Sequence, residues 1–199
     1  LGKGYVGMVI LAKQKNNKVA LKIRRIDSPR KNMLNESKLL KAANKIDVGP
    51  KFIKNSKNFL IMEYIKGEKI IDWVKKPETK AKEIRLVVNQ VLRECYHLDE
   101  IGLDHGELST IDKHVIINKK RNTIIDFESS SLERKTSNVS GATQAIFIGT
   151  GLAKIIQKKI KIPPKKKIID LIRTYKKNPI LDTFDSLLVG LKLESVKKK

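Results

Sequence analysis

The sequence predicts an α+β fold in which a sheet-rich N-terminal part precedes a larger, mainly helical part. Short apolar runs bounded by polar turns occur at 9–12, 19–23, 52–53 and 59–62, a pattern typical of β-strands. An apolar period of about 3.6 residues then extends from Ile84 to Ile101, and helical patterns continue after Ala142. The 199 residues allow one domain or two small lobes that share a cleft.

The chain is strongly basic, with a formal net charge of +22. One interpretation is a solvated lysine surface, as in hyperthermophiles or AT-rich genomes. The other is a polyanionic partner, with RNA as the leading candidate, because cationic side chains neutralise phosphates. The five Phe, four Tyr and one Trp give little support for a surface that stacks on bases.

The single cysteine and the apolar runs indicate the cellular setting. Cys95 lies on the apolar face of a predicted helix, so we expect a buried side chain and no disulfide within the chain. No apolar run reaches the ~20 residues of a membrane span, and no signal peptide precedes the first motif. We therefore expect a soluble, cytoplasmic protein with no membrane partner.

The N-terminus carries a glycine-rich pattern followed by a strand. Its members are Gly2, Gly4, Gly7 and Val9. Glycines let backbone amides approach a phosphate because no Cβ intervenes, although an ordinary glycine hairpin gives the same pattern. A dinucleotide-binding motif is disfavoured, since residues 9–12 continue as a strand where that motif needs a helix.

A lysine and a glutamate in the next two elements form a predicted pair. Lys22 alternates with apolar residues in a strand at 19–23, and a helix is predicted from Ser28 and Pro29 to about Asn44. Glu36 lies on the apolar face of that helix, where an unpaired carboxylate costs about 1–5 kcal/mol. Lys22 is the obvious partner. The alternatives are an exposed edge-strand lysine and a boundary glutamate that contacts water.

The middle of the chain predicts two strands, at 52–53 and 59–62, and two helices. The first helix spans about 69–76 and contains Trp73, which we expect to be a packing residue. Thr79 is the predicted cap of the second helix, which Gly102 ends. Three further helices are predicted at 143–159, 168–177 and 180–192.

Residues 105–128 predict a hairpin with a carboxylate at each end. Apolar runs at 115–117 and 124–125 flank a basic turn, with Glu107 before the first strand and Asp126 after the second. Carboxylates are hard ligands for Mg²⁺ and can accept a hydroxyl proton. This pairing is what metal-assisted phosphoryl transfer requires.

The same stretch, HGELSTIDKHVIINKKRNTIIDFE, resembles the catalytic loop and metal-binding strand of protein kinases. The likeness is to the short form in RIO-type kinases, in the small kinase of the KEOPS tRNA-modification complex and in archaeal predicted Ser/Thr kinases. It implies a two-lobed, minimal kinase-like fold whose N-lobe covers 1–65 and whose mainly helical C-lobe covers 66–199. ATP would lie between the lobes, under the glycine-rich loop.

The resemblance also implies roles for individual residues. Lys22 would bind the α- and β-phosphates, Glu36 would position Lys22, and Asp126 would bind Mg²⁺. Met62 would be the gatekeeper, and backbone groups of Glu63 and Ile65 would meet the adenine. The remaining implied ATP-binding positions are Gly2, Gly4, Gly7, Val9 and Ala20.

The sequence departs from the kinase pattern at three positions. Glu107 replaces the catalytic Asp, and its longer side chain places the carboxylate roughly 1–1.5 Å further out. The second metal ligand is either Asp112 or His114; Asp112 offers the harder oxygen donor that Mg²⁺ prefers. Glu128 replaces the Gly after the metal-binding Asp. His105 is expected to orient the loop.

The predicted activity is that of an ATP-dependent Ser/Thr protein kinase, with γ-phosphoryl transfer to a protein hydroxyl and autophosphorylation. The polar segment 129–140 lacks a peptide anchor and contains candidate autophosphorylation sites at Ser129, Ser130, Ser131, Thr136 and Ser137. Two alternatives stay open. One is an ATPase switch in an RNA-linked complex, and the other is a pseudokinase scaffold that binds RNA or a ribonucleoprotein.

Overall fold

The N-terminal part of the chain is a five-stranded antiparallel sheet. The computed structural model describes residues 1–3, 7–28, 32–119, 121–149 and 151–194. The strands follow the order β1-β2-β3-β5-β4. Their bounds are Gly2–Lys3 (β1), Gly7–Gln14 (β2), Asn17–Arg24 (β3), Phe52–Asn55 (β4) and Phe59–Glu63 (β5). The strands predicted from the apolar runs are all present, and the register places Val9 opposite Lys22.

One helix, α1 (Leu34–Asn44), accompanies this sheet and begins later than predicted. Ser28 is not its cap, and Pro29 lies outside the described residues. The N–H of Met33 instead donates to Lys57 O at 2.9 Å, which ties the helix start to the β4–β5 turn. The side chain of Asn32 accepts from the N–H of Leu34 at 3.0 Å. A contact distant in sequence therefore sets the first residue of α1.

The predicted hairpin forms part of a second, three-stranded antiparallel sheet. Its strands are β6 (Glu68–Lys69), β7 (Val115–Ile117) and β8 (Asn122–Ile124), in that order. The hairpin prediction is confirmed, with β8 beginning and ending earlier than the apolar run at 124–125 suggested. Glu107 precedes β7 and Asp126 follows β8. The small sheet therefore positions both residues close to the first sheet, where Asp126 contacts Lys22 of β3.

The remainder of the described chain is mainly helical, and the predicted α+β class is therefore confirmed. The helices are α2 (Ile70–Lys75), α3 (Ala81–Glu100), α4 (Ile111–His114), α5 (Asn138–Phe147), α6 (Leu152–Lys159), α7 (Lys165–Lys177) and α8 (Leu181–Gly190). Single 3₁₀ turns occupy Leu108–Thr110 and Phe127–Ser129. Helix α3 packs against α5 and β8 and buries Cys95 completely, as expected.

Three helix predictions need correction. Thr79 does not cap α3; its hydroxyl donates to Trp73 O at 2.7 Å, at the end of α2. The helix predicted at 143–159 is two helices, because α5 ends at Phe147 and the N–H of Gly149 donates back to Gln144 O. Helix α7 begins at Lys165 rather than residue 168, directly after a proline with extended backbone.

A continuous apolar core joins the two parts of the fold. Leu60 of β5 and Leu40 of α1 belong to the same buried cluster as Leu92 of α3 and Phe184 of α8. Within the described residues, no single helix is long and apolar enough to cross a membrane. The pair α5–α6 meets that test only as two helices bent by 63°.

Candidate active site

Lys22 stands at the centre of a cluster of carboxylates. Its Nζ lies 2.8 Å from Glu36 Oε1, 2.8 Å from Asp126 Oδ1 and 2.7 Å from Glu128 Oε2. Lys22 and Glu36 are only 3% and 5% exposed. The predicted Lys22–Glu36 contact is therefore present, and Asp126 reaches the same ammonium group from 104 residues further along the chain.

Three elements bring these side chains together. Lys22 belongs to β3, the central strand of the first sheet, and Glu36 to the buried face of α1. Asp126 follows β8 with a left-handed backbone (φ +71°), a conformation that non-glycine residues rarely adopt. This bend leads directly into the Phe127–Ser129 turn, which directs Glu128 back toward Lys22.

The electrostatics of the cluster follow from one cation among three carboxylates. Burial opposes the charge on Lys22, but attraction by Glu36, Asp126 and Glu128 outweighs it and raises the lysine pKa. Burial raises the pKa of Glu36 despite Lys22. Burial also opposes ionisation of Asp126, but Lys22 and the nearby histidines hold its pKa below the usual value. The single ammonium of Lys22, together with the histidines, thus outweighs the effect of burial on the pKa of Asp126 but does not outweigh it for Glu36.

Three groups beside this cluster can hold a metal ion. Ligand atoms of Glu107, His114 and Asp126 all lie within 4.8 Å of one another. The Nε2 of His114 is 3.6 Å from Glu107 Oε2, and its buried Nδ1 has no hydrogen-bond partner. Of the two alternatives for the second metal ligand, the structure brings His114, and not Asp112, to Asp126.

His105 is a buried, neutral residue whose contacts link the segment before β7 to the segment after β8. Its backbone N–H donates to Asn138 Oδ1 at 2.8 Å, and its Nε2 donates to Ile125 O at 3.1 Å. Burial and the neighbouring His114 lower the pKa of His105 to about 4. Its ring also contacts Phe127 edge-on, with centroids 5.1 Å apart. These contacts fit the orienting role predicted for it.

Asp104, one residue earlier, faces away from the metal-binding groups. It is 2% exposed and accepts hydrogen bonds from Arg134 Nε at 2.6 Å and Ser137 N at 2.9 Å. One helix turn before the loop, Asp99 accepts from both nitrogens of Asn138 and from the hydroxyl of Tyr175. We call the carboxylates Asp99 and Asp104 with these donors the clasp, since they fasten α5 to the end of α3.

The predicted ATP-binding positions lie along the first sheet. Ala20 of β3 pairs with Met62 of β5, and Gly2 pairs with Val9. A Cβ on Gly7 would lie 2.8 Å from Ile23 O, so the close approach of β3 requires glycine there. Gly4 lies outside the described residues.

The structure limits how Glu63 and Ile65, the two residues predicted to contact adenine, could do so. The N–H of Glu63 donates to Lys51 O at 2.8 Å, so an adenine contact cannot use that group. The carboxylate of Glu63 is also engaged, by Arg121 Nη2 at 2.6 Å. Ile65, the second predicted contact, is 7% exposed.

The contact of Glu128 with Lys22 could not be predicted from the sequence, which shows only that Glu128 stands where the kinase pattern has glycine. Its contact depends on the left-handed backbone of Asp126, and that conformation has no signature in residue type when glycine is absent. The charge of Glu128, two residues after a predicted metal ligand, was the available signal.

Comparison with known proteins agrees with this geometry. The sequence model described as RIO domain matches residues 10–139, which is more than half of the chain. The chain belongs to the RIO domain family. It is also 30% identical over 118 residues to "Uncharacterized protein MJ1211" of Methanocaldococcus jannaschii, a match that covers 58% of this chain and 99% of that protein. Membership confirms the atypical, kinase-like resemblance and implies phosphotransferase or ATPase activity at the level of the family.

RIO domains of this kind use ATP with Mg²⁺, and the donor set here fits a divalent cation. Asp126 and Glu107 supply the hard oxygens that Mg²⁺ prefers, and His114 adds a nitrogen that suits softer ions. The unpartnered Nδ1 of His114 is a buried polar atom that lacks its hydrogen bond within the protein. Asp126 is therefore the ligand of this set that we expect first for Mg²⁺, and Glu107 and His114 lie beside it.

Proposed function

We propose that this protein is an ATP-dependent serine/threonine kinase that transfers the γ-phosphoryl group of Mg-ATP to a protein hydroxyl, its own included. The observation that carries the proposal is the convergence of Lys22, Glu36 and Asp126 beside Glu107. A buried ammonium next to metal-binding carboxylates is the arrangement that positions and neutralises a triphosphate. The boundary between the lobes, at residues 65 and 66, stays a prediction and lies between β5 and β6.

Each residue at the site has a proposed task. Lys22 donates N–H groups to the phosphates, and Glu36 keeps its ammonium in place from the buried side. Glu107 accepts the proton of the attacking hydroxyl or orients that hydroxyl. Asp126 would hold Mg²⁺ together with His114 or Asp112, and a bound ion would supply charge neutralisation for the phosphoryl group.

The autophosphorylation sites named from sequence are not equally accessible. Ser130 is 7% exposed, and its hydroxyl donates to His105 O. The hydroxyl of Ser131 accepts from two backbone N–H groups, and that of Ser137 donates to Asp104. The hydroxyls of Ser129 and Thr136 make none of these contacts, so these two are the better candidates of the five.

Transfer of labelled γ-phosphate tests the proposal. We expect label on protein serine or threonine, with the signal lost in Asp126→Asn, which keeps the side-chain shape and removes the charge. Glu133→Gln, which removes an exposed carboxylate in the segment after the site, is the matched control. Label that appears only as free phosphate would replace the kinase by the ATPase switch, which the missing peptide anchor favours.

A scaffold that binds RNA is the second candidate, favoured by a lysine-rich surface on α6 and α7. Residues 154–177 contain ten cationic side chains and one acidic side chain. Nearly all of these cations are exposed, including Lys165, Lys166 and Lys167 at the start of α7. Such a surface attracts phosphates without reading bases.

Salt dependence tests the RNA candidate. Affinity for RNA should fall steeply as salt rises, and the slope should decrease by roughly one for each phosphate contact that is removed. Triple replacement of Lys165, Lys166 and Lys167 by Gln tests this surface. Replacement of Lys13, Lys15 and Lys18, exposed on the β2–β3 hairpin, is the control of equal charge. Equal losses in both variants would contradict a specific α6–α7 surface.

A further inference from the structure

The ammonium group of Lys22 has no N–H left for a nucleotide. A lysine ammonium carries three N–H donors. Glu36, Asp126 and Glu128 each accept at 2.7–2.8 Å, one carboxylate for each donor. A phosphate can therefore bind Lys22 with full hydrogen bonding only after one carboxylate has moved away.

The three carboxylates differ in how readily they can leave. Glu36 lies on the buried face of α1 and is 5% exposed, so its departure would move a helix. Asp126 occupies a left-handed backbone position that fixes its direction, and it contacts the metal-binding groups as well. The side chain of Glu128 is 15% exposed and has three rotatable bonds.

The backbone that carries Glu128 is anchored independently of its carboxylate. Phe127 is 2% exposed, and a Cβ on Gly49 would lie only 2.8 Å from its ring, which shows how tightly it is packed. On the other side, Ser129 O accepts from Arg134 Nη2 at 3.0 Å. Rotation of the Glu128 side chain therefore needs no rearrangement of the turn.

We propose that Glu128 is a built-in competitor of the triphosphate for Lys22 and that it sets the affinity of the site for nucleotide. Glu128 occupies one donor of the ammonium in the absence of nucleotide and gives it up when a phosphate binds. Its negative charge also repels a phosphate that approaches without a divalent cation. This inference rests on the proposed function, because it requires that the site bind ATP.

Calorimetric titration of ATP into the full chain tests the inference, first without and then with Mg²⁺. Glu128→Gln removes the charge and weakens the contact with Lys22. We expect it to bind metal-free ATP about tenfold more tightly than the wild type, which corresponds to one charge-assisted hydrogen bond. With Mg²⁺ the gain should be smaller, because the ion offsets part of the repulsion.

One control variant and two named outcomes separate a failure of this inference from a failure of the proposed function. Glu133→Gln removes an equal charge from an exposed position and should bind ATP like the wild type. Binding by Glu128→Gln that is equal to or weaker than wild-type binding overturns the competitor role while the proposed ATP site stands. An absence of ATP binding in the wild type and all variants, with or without Mg²⁺, overturns both.

Discussion

Two groups of buried and partly buried carboxylates flank His105, and they are compensated in opposite ways. In the clasp, Asp99 and Asp104 accept hydrogen bonds from the amide groups of Asn138, from Ser137, Tyr175 and Arg134. At the site, Glu36, Asp126 and Glu128 share the single ammonium of Lys22, and Glu107 lies nearby. Other residues of the chain donate hydrogen bonds to the clasp carboxylates, whereas the site has more negative than positive side chains.

The difference separates a structural carboxylate from one that needs a ligand. A buried carboxylate whose oxygens all meet donors lowers the free energy of the folded state without help from outside. Excess negative charge in a largely buried site raises the free energy of the folded state until a cation binds there. Hydrogen bonds from within the protein therefore satisfy the clasp, although burial still raises the pKa of Asp99. Under the proposed function, a divalent cation and the nucleotide it accompanies would complete the site.

The largest effect on stability should come from Lys22→Met, which leaves three carboxylates around an apolar side chain. We expect a loss of about 3–5 kcal/mol in the free energy of unfolding at pH 7. The carboxylates would then have raised pKa values in the folded state, so the loss should shrink as pH falls toward 4.5. Urea unfolding at both pH values measures this. Lys13→Met, at an exposed position of β2, should change stability little at either pH.

Asp104→Ala should be next, with a loss of about 2–3 kcal/mol, because Ser137 N and Arg134 Nε lose a buried acceptor. The affinity for Mg-ATP should stay unchanged, since Asp104 faces away from the site. Asp170→Ala, exposed and 3.9 Å from Arg173, is the control for charge. A change in ATP affinity without a change in stability would contradict the assignment of Asp104 to the clasp.

Glu94 is a position where a substitution should increase the free energy of unfolding rather than decrease it. Its Oε1 accepts from Asn122 Nδ2 at 2.6 Å, but its Oε2 is buried without a partner, and burial raises its pKa to about 8. The folded state therefore holds this proton more tightly than the unfolded state, and stability from this group declines between pH 4.5 and about 8. Glu94→Gln keeps the acceptor for Asn122 and should be more stable than the wild type by about 1–2 kcal/mol at pH 9, with no gain at pH 4.5. Equal gains at both pH values would exclude titration as the cause.

The smallest effect on stability should come from Glu128→Gln. Lys22 keeps Glu36 and Asp126 as partners, and repulsion among the carboxylates decreases, so the free energy of unfolding should change by less than about 1 kcal/mol. Denaturant unfolding of this variant beside Asp104→Ala compares the two groups directly. A loss as large as that of Asp104→Ala would remove the distinction between site and clasp.

What the sequence could predict depended on local pattern. Glu36 was expected to meet Lys22 because the period of α1 places it among apolar residues, and that inference needs no knowledge of distant contacts. The hairpin and the α3 helix follow from period and turn residues in the same way. By contrast, Met33 starts α1 through a hydrogen bond to Lys57, which no local pattern reveals.

The choice between Asp112 and His114 shows a second limit. No secondary structure was predicted for the residues directly before β7, and they form a 3₁₀ turn and the short helix α4. Residues two apart on a helix point to different sides, so only one of the pair can face Asp126. The preference for Asp112 rested on ligand chemistry, whereas the group of possible metal ligands in the described structure contains His114 and not Asp112.

The most direct test of an incomplete, nucleotide-binding site is thermal unfolding with saturating Mg-ATP. At 100 times the dissociation constant, binding should stabilise the folded protein by about 2.7 kcal/mol, or roughly 5–10 °C for a chain of this size. Asp126→Asn should lose most of this shift. An unchanged melting temperature of the wild type with Mg-ATP would contradict the account.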